Sequence, residues 1–187
     1  AITSTHKPYL KVGIFETWKS RIPWLLLLMI SATFTGKIIQ SYESALASYV
    51  ILTAFIPMLM DTGGNAGSQA SVTIIRGISL GEVEFKDIFK IMWKEARVAI
   101  LCGITLAAAN FIKLWLIDRV TLEVNFIVNI TLICTIFLSK LLGCTLPLLV
   151  KKIKLDPAVM ASPFITTLVD ACSLMIYFQV ATIMLGL

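Results

Sequence analysis

The chain has 187 residues, of which 58% are hydrophobic and only 14% are charged, and its mean hydropathy is +0.90. A soluble domain of this length needs more polar surface to cover its core, so the composition excludes an ordinary soluble protein and indicates helices that contact lipid. The net charge of +5 does not indicate nucleic-acid binding, because the basic residues lie at the edges of apolar runs and form no arginine-rich arm.

The predicted elements begin with residues 1–21, where basic and apolar side chains alternate without a long apolar run. We expect a cytoplasmic interfacial or linker helix there. Residues 22–187 are expected to form a transmembrane pore domain whose first span covers about 22–40. The second span covers about 45–60 and continues through a polar, glycine-rich segment to about 78.

Three further apolar runs follow, at about 98–117, 124–150 and 159–187. Each is long enough to cross the hydrocarbon core of a bilayer as a helix. The sequence therefore predicts an all-α membrane protein with five transmembrane helices per subunit.

The distribution of lysine and arginine predicts the orientation of these spans, because cytoplasmic flanks carry an excess of both residues. With the N-terminus in the cytoplasm and the C-terminus outside, the outer ends hold only Lys37, Lys113 and Arg119. The inner segments then hold most of the basic residues: Lys7, Lys11, Lys19, Arg21, Arg76, Lys86, Lys90, Lys94, Arg97, Lys151, Lys152 and Lys154.

The side chains that could bind a metal ion point to a hard cation. The four cysteines lie in apolar runs without CxxC spacing, and the single histidine, His6, is near the start of the chain. A disulfide framework or a zinc site is therefore not expected. A metal site in the body of the chain must use oxygen ligands, which suit Mg²⁺ or Ca²⁺.

Asp170 is the most informative residue, because it lies in the middle of the last apolar run. A carboxylate at that depth costs about 2.5–3.5 kcal/mol and usually faces a bundle interior or a water-filled path. Polar residues share its helical face and suggest a pore lining; the alternative is an interhelical hydrogen bond. These residues are Pro163, Thr166, Thr167, Ser173 and Tyr177.

The glycine-rich segment 63–69 is the second candidate element. Its amides Asn65 and Gln69 have i, i+4 spacing and share a face in a helix, where they could contact a cation or its water shell. Close packing of small residues between helices is the alternative explanation. The sequence leaves the roles of four other charged residues open: Asp61, Glu43, Glu95 and Lys140.

A single intramembrane acid cannot enclose a cation, but a homodimer would bring two copies of Asp170 together across a two-fold axis. Two carboxylates balance one divalent charge. Because Mg²⁺ gives up its water reluctantly, we expect a hydrated Mg²⁺ bound through outer-shell contacts.

Several motifs resemble the MgtE family of magnesium transporters. The segment from Phe55 to Pro57, with Gly63–Gln69 after it, is similar to that family's second-helix signature. The last apolar run resembles the fifth-helix signature through residues 156–158, 163–167, Asp170 and 177–178, and residues 21–24 resemble the start of the first helix.

The resemblance implies a homodimer with five transmembrane helices per subunit in a bacterial inner membrane, and a central pore in which Asp170 of each subunit binds Mg²⁺. It also implies cytosolic regulatory domains before the first helix, which this stretch of sequence does not contain. Three other functions remain open at this point: a Na⁺-coupled Mg²⁺ exchanger, a metal-dependent membrane enzyme, and a structural assembly subunit without transport, which would leave the cost of Asp170 unexplained. An enzyme is disfavoured because no base accompanies Ser173.

Overall fold

The computed structural model describes residues 12–152 and 163–186, which are almost entirely helical and contain no strand. The prediction of an all-helical protein is therefore confirmed for this part of the chain. Short 3₁₀ turns and one π-helical turn join or extend the α-helices. The helices are α1 (Ile14–Ser41), α2 (Glu43–Ser48), α3 (Ile56–Ser79), α4 (Ile88–Lys113), α5 (Leu122–Lys152) and α6 (Pro163–Leu185).

Four helical stretches in the described residues are long and apolar enough to cross a membrane. They correspond to the predicted first, third, fourth and fifth spans. The helix α3 is not among them, because its glycine-rich polar segment lowers its hydropathy. It has 24 residues and a length of about 36 Å, which suffices to cross the hydrocarbon core. The four stretches are Ile14–Ser41, Phe85–Asp118, Leu122–Lys152 and Pro163–Leu185.

The first helix begins earlier than the predicted first span. It starts at Ile14 and continues through Pro23 without a break, so part of the predicted linker segment 1–21 belongs to the same helix. Residues 1–11 of that segment lie outside the described residues. In lipid the backbone must satisfy its own hydrogen bonds, which favours a continuous helix despite the proline. Most of α1 is exposed, and its neighbour within the protomer is chiefly α6.

The predicted second span is divided by a change in helix type. The short helix α2 is followed by a 3₁₀ turn at Val50–Phe55, and α3 then begins at Ile56. Pro57 lies in the first turn of α3. The N–H groups of a first turn have no acceptor within the helix, so the missing N–H of proline costs no helical hydrogen bond there. Because proline also disfavours α-helical geometry in the residue before it, a helix start at this position is easier than a continuous helix through it.

The helix α5 forms the centre of the protomer and packs against α3, α4 and α6. Glycines bring α3 very close to α5. A Cβ atom built on Gly143 of α5 would collide with the carbonyl oxygen of Gly67 in α3, and one built on Gly63 would lie 2.5 Å from Cγ2 of Thr135. Small residues allow such close approach of membrane helices. The opposite face of α3, which points away from α5, remains exposed.

Candidate cation site between α3 and α6

Asp170 lies half-buried on α6 against a glycine of α3. A Cβ atom built on Gly64 would lie 2.5 Å from Cγ2 of Thr166 and 4.0 Å from Oδ1 of Asp170. The absence of a side chain at Gly64 therefore allows α6 to place this carboxylate directly beside the α3 backbone. Oδ1 of Asp170 is buried and accepts no hydrogen bond from the residues that the structure describes.

The outer face of α3 beside this carboxylate is polar and exposed. Asp61, Asn65 and Gln69 are all exposed and recur at intervals of four residues, so they form one stripe along the helix. Nδ2 of Asn65 donates a hydrogen bond to Oδ2 of Asp61 at 3.1 Å. Farther along the same face, Asn65, Ser68, Gln69, Val72 and Thr73 line a shallow depression.

Two of the residues predicted to line a pore have hydrogen bonds within their own helix. Ser173 is buried, and its hydroxyl donates to the carbonyl of Val169 at 2.6 Å. The hydroxyl of Thr167 donates to the carbonyl of Pro163 at 2.9 Å. These hydroxyls are satisfied by backbone groups one turn earlier.

The predicted site residues therefore separate into distinct groups. Asp170 and Thr166 meet α3 at Gly64, whereas Asn65 and Gln69 lie on the exposed side of the same helix. The side chain of Ser173 is buried inside the helical bundle. Tyr177, on the predicted polar face of α6, is fully buried and donates its hydroxyl to the carbonyl of Leu52 at 2.9 Å.

Asp61 is the residue near the site to which the sequence analysis assigned no role. It lies three residues before Gly64, the glycine whose Cβ position faces Thr166 and Asp170. The sequence spacing could have placed Asp61 with the other polar residues, because Asp61, Asn65 and Gln69 are one helical turn apart on the same face. The other charged residues left open lie elsewhere: Glu43 is exposed in α2, Glu95 is half-buried in α4, and Lys140 is buried in α5.

The chemistry of the site suits a hydrated hard cation. The groups near Asp170 are carboxylate, amide and hydroxyl oxygens, which are ligands for Mg²⁺ and its water shell. Among the residues that the structure describes, no three side chains of His, Cys, Asp or Glu come together to hold a metal ion. The described residues of one chain therefore do not enclose an ion.

Residues 56–180, which include all of α3 and most of α6, match the sequence profile of MgtE, a divalent cation transporter family. The chain belongs to the MgtE family. The family resemblance carried by the glycine-rich segment and by the surroundings of Asp170 is thus confirmed.

Three relatives named magnesium transporter MgtE are similar to most of this chain. The protein of Thermus thermophilus is 33% identical over 178 residues, which cover 95% of this chain and 39% of that protein. The protein of Bacillus subtilis is 36% identical over 166 residues, or 87% of this chain and 36% of its own length. The protein of Enterococcus faecalis is 31% identical over 165 residues. The chain thus spans well under half the length of these MgtE relatives.

Proposed function

We propose that this chain forms the pore of a magnesium channel, through which hydrated Mg²⁺ moves down its electrochemical gradient. The observation that carries the proposal is the buried Oδ1 of Asp170, which has no hydrogen-bond partner in residues 12–152 and 163–186 and lies beside Gly64. A structural carboxylate in a membrane helix would be expected to have a donor, because a buried charge without a partner is costly. A cation and its water shell would supply the missing partners.

The proposal includes a homodimer with the pore at its two-fold axis. The exposed stripe of Asp61, Asn65 and Gln69 would be costly in contact with lipid. A second copy facing this stripe would remove it from lipid and enclose a polar path with one Asp170 from each subunit. Two carboxylates would balance the charge of one Mg²⁺, and the amides would contact its water molecules.

In the proposed channel, residues 43–79 form the remaining span, so that each subunit crosses the membrane five times. The N-terminus lies in the cytoplasm and the C-terminus outside, in the inner membrane of a bacterial cell. This orientation is supported by the basic residues at the start of α4 and at the end of α5, which would lie on the cytoplasmic side. Cytosolic regulatory domains, which the family resemblance implies, would act on the pore from that side.

Mg²⁺ uptake by proteoliposomes containing the purified protein tests this proposal. A trapped Mg²⁺-sensitive dye reports uptake, while a K⁺ diffusion potential and a Na⁺ gradient are varied independently. A channel predicts uptake that follows the Mg²⁺ gradient and increases with an inside-negative potential, with no Na⁺ present. Uptake that requires a Na⁺ gradient would indicate an exchanger instead, and the absence of uptake would contradict Mg²⁺ transport by this chain.

A further inference from the structure

Asp61 is a second carboxylate beside the proposed ion path. It lies on the exposed face of α3, one turn before Asn65 and nearly one turn before Gly64, the glycine that contacts the Asp170 region. The amide of Asn65 donates to Oδ2 of Asp61 at 3.1 Å and thereby directs the carboxylate along the polar stripe. Asp61 is the sixth residue of α3, beyond the first turn where the helix dipole stabilises an acid most strongly.

In the described part of the chain, neither Asp61 nor Asp170 forms an ion pair with lysine or arginine. Asp61 lies three residues before Gly64, which Asp170 approaches from α6, so the two negative charges lie near the same boundary between α3 and α6. The hydrogen bond from Asn65 orients Oδ2 of Asp61, but the neutral amide adds no positive charge.

We propose that Asp61 determines the preference of the site for divalent over monovalent cations. The proposal rests on the function proposed above and adds one residue to it. The attraction between an ion and a fixed carboxylate is proportional to the charge of the ion, so a second carboxylate favours Mg²⁺ twice as strongly as it favours K⁺. Asp170 then holds the ion in the path, and Asp61 increases the local negative field that excludes singly charged competitors.

The experiment compares the full chain with Asp61→Asn in liposomes and measures Mg²⁺ and K⁺ flux on the same preparations. Asp61→Asn is expected to reduce the ratio of Mg²⁺ to K⁺ permeability on the order of tenfold, while measurable Mg²⁺ flux remains because Asp170 is intact. Asp61→Glu retains the charge and is expected to keep the ratio near that of the native chain. Asp61→Ser is a second neutral variant. It tests the loss of charge independently if the asparagine side chain of Asp61→Asn disturbs α3.

Glu123→Gln is the matched control, because it removes one exposed carboxylate from the first turn of α5 and leaves α3 and α6 unchanged. It is expected to leave the permeability ratio unchanged. An unchanged ratio in both neutral Asp61 variants, or an equal fall in Glu123→Gln, would overturn the role of Asp61.

Asp170→Asn, measured in parallel, separates this result from failure of the proposed function. If the native chain conducts, Asp170→Asn does not, and the Asp61 variants keep the native ratio, then the channel proposal stands and only the role of Asp61 fails. If the native chain conducts no Mg²⁺, both proposals fail.

Discussion

The hydroxyl of Tyr177 donates a hydrogen bond to the carbonyl oxygen of Leu52 at 2.9 Å, and this bond ties α6 to the 3₁₀ turn that leads into α3. Tyr177 lies two helical turns after Asp170, and both the tyrosine and Leu52 are fully buried. The bond therefore connects the helix that carries the candidate cation ligand with the start of the helix that carries the polar stripe.

Removing this bond should loosen the connection between the two helices. Tyr177→Phe keeps the ring and leaves the Leu52 carbonyl without this donor, at an expected cost of about 1 kcal/mol. Thermal unfolding in detergent should occur at a lower temperature, and amide hydrogen exchange in Val50–Phe55 should become faster. Tyr49→Phe, which removes a half-buried tyrosine hydroxyl next to the same turn, is the control. Equal exchange rates in both variants would mean that the Tyr177 hydroxyl does not hold the turn.

The contact between Gly64 and Thr166 should be sensitive to a single methyl group. In Gly64→Ala the new Cβ would lie 2.5 Å from Cγ2 of Thr166, so α6 must shift away from α3 and carry Asp170 with it. We expect a loss of about 1–3 kcal/mol in stability and reduced Mg²⁺ flux.

Thr166→Ser removes the colliding methyl and should restore much of both properties in the Gly64→Ala background. Gly36→Ala is the matched control, because nothing lies within 4 Å of a Cβ at that position in α1. A double variant as impaired as Gly64→Ala alone would show that the methyl contact is not the cause.

Hydrogen-bonded asparagines should stabilise the packing of the end of α4 against the start of α5. Nδ2 of Asn110 donates to Oδ1 of Asn129 at 3.1 Å, and Nδ2 of Asn129 donates to the carbonyl oxygen of Asn125 at 2.8 Å. Because lipid offers no replacement partner, Asn110→Leu should leave Asn129 partly unpaired and lower stability by about 0.6–1.7 kcal/mol.

A double-mutant cycle of Asn110→Leu and Asn129→Leu, followed by thermal unfolding, measures the coupling of this pair. The double variant should lose less stability than the sum of the single variants, since the second substitution removes a group that the first has already left unpaired. Strict additivity would indicate that the two amides do not stabilise each other.

The ends of the predicted third and fourth spans, at about 117 and 150, could be predicted because the apolar runs end at Asp118 and Lys151, whereas α1 and α4 begin at Ile14 and Ile88, before the predicted starts at about 22 and 98. The glycine-rich segment and Asp170 could also be recognised, since glycines and a carboxylate are unusual in a membrane helix. The break between α2 and α3 could not be predicted, because Val50–Phe55 is as apolar as its neighbours. Its turn depends on a proline after it and on Tyr177, which is distant in sequence.

The sequence could not show which neighbouring helix covers each part of the α6 surface. Helical spacing places Thr166, Asp170, Ser173 and Tyr177 on related positions of one face, but it does not reveal which neighbouring helix covers each part of it. Packing within the bundle buries Ser173 and Tyr177, whereas Gly64 allows Thr166 and Asp170 to approach the α3 backbone closely. Which residues remain near the polar stripe depends on these tertiary contacts.

The most direct test of the proposed channel is Mg²⁺ flux into proteoliposomes that contain equal amounts of the native chain, Asp170→Asn or Asp170→Ala. Thermal unfolding of each preparation first verifies that the variants are folded, and Glu123→Gln again controls for the loss of a negative charge. We expect the native chain and the control to conduct and both Asp170 variants to lose at least about tenfold in flux, because the central carboxylate is missing. Flux through both variants equal to that of the native chain would contradict the assignment of Asp170 as the cation site.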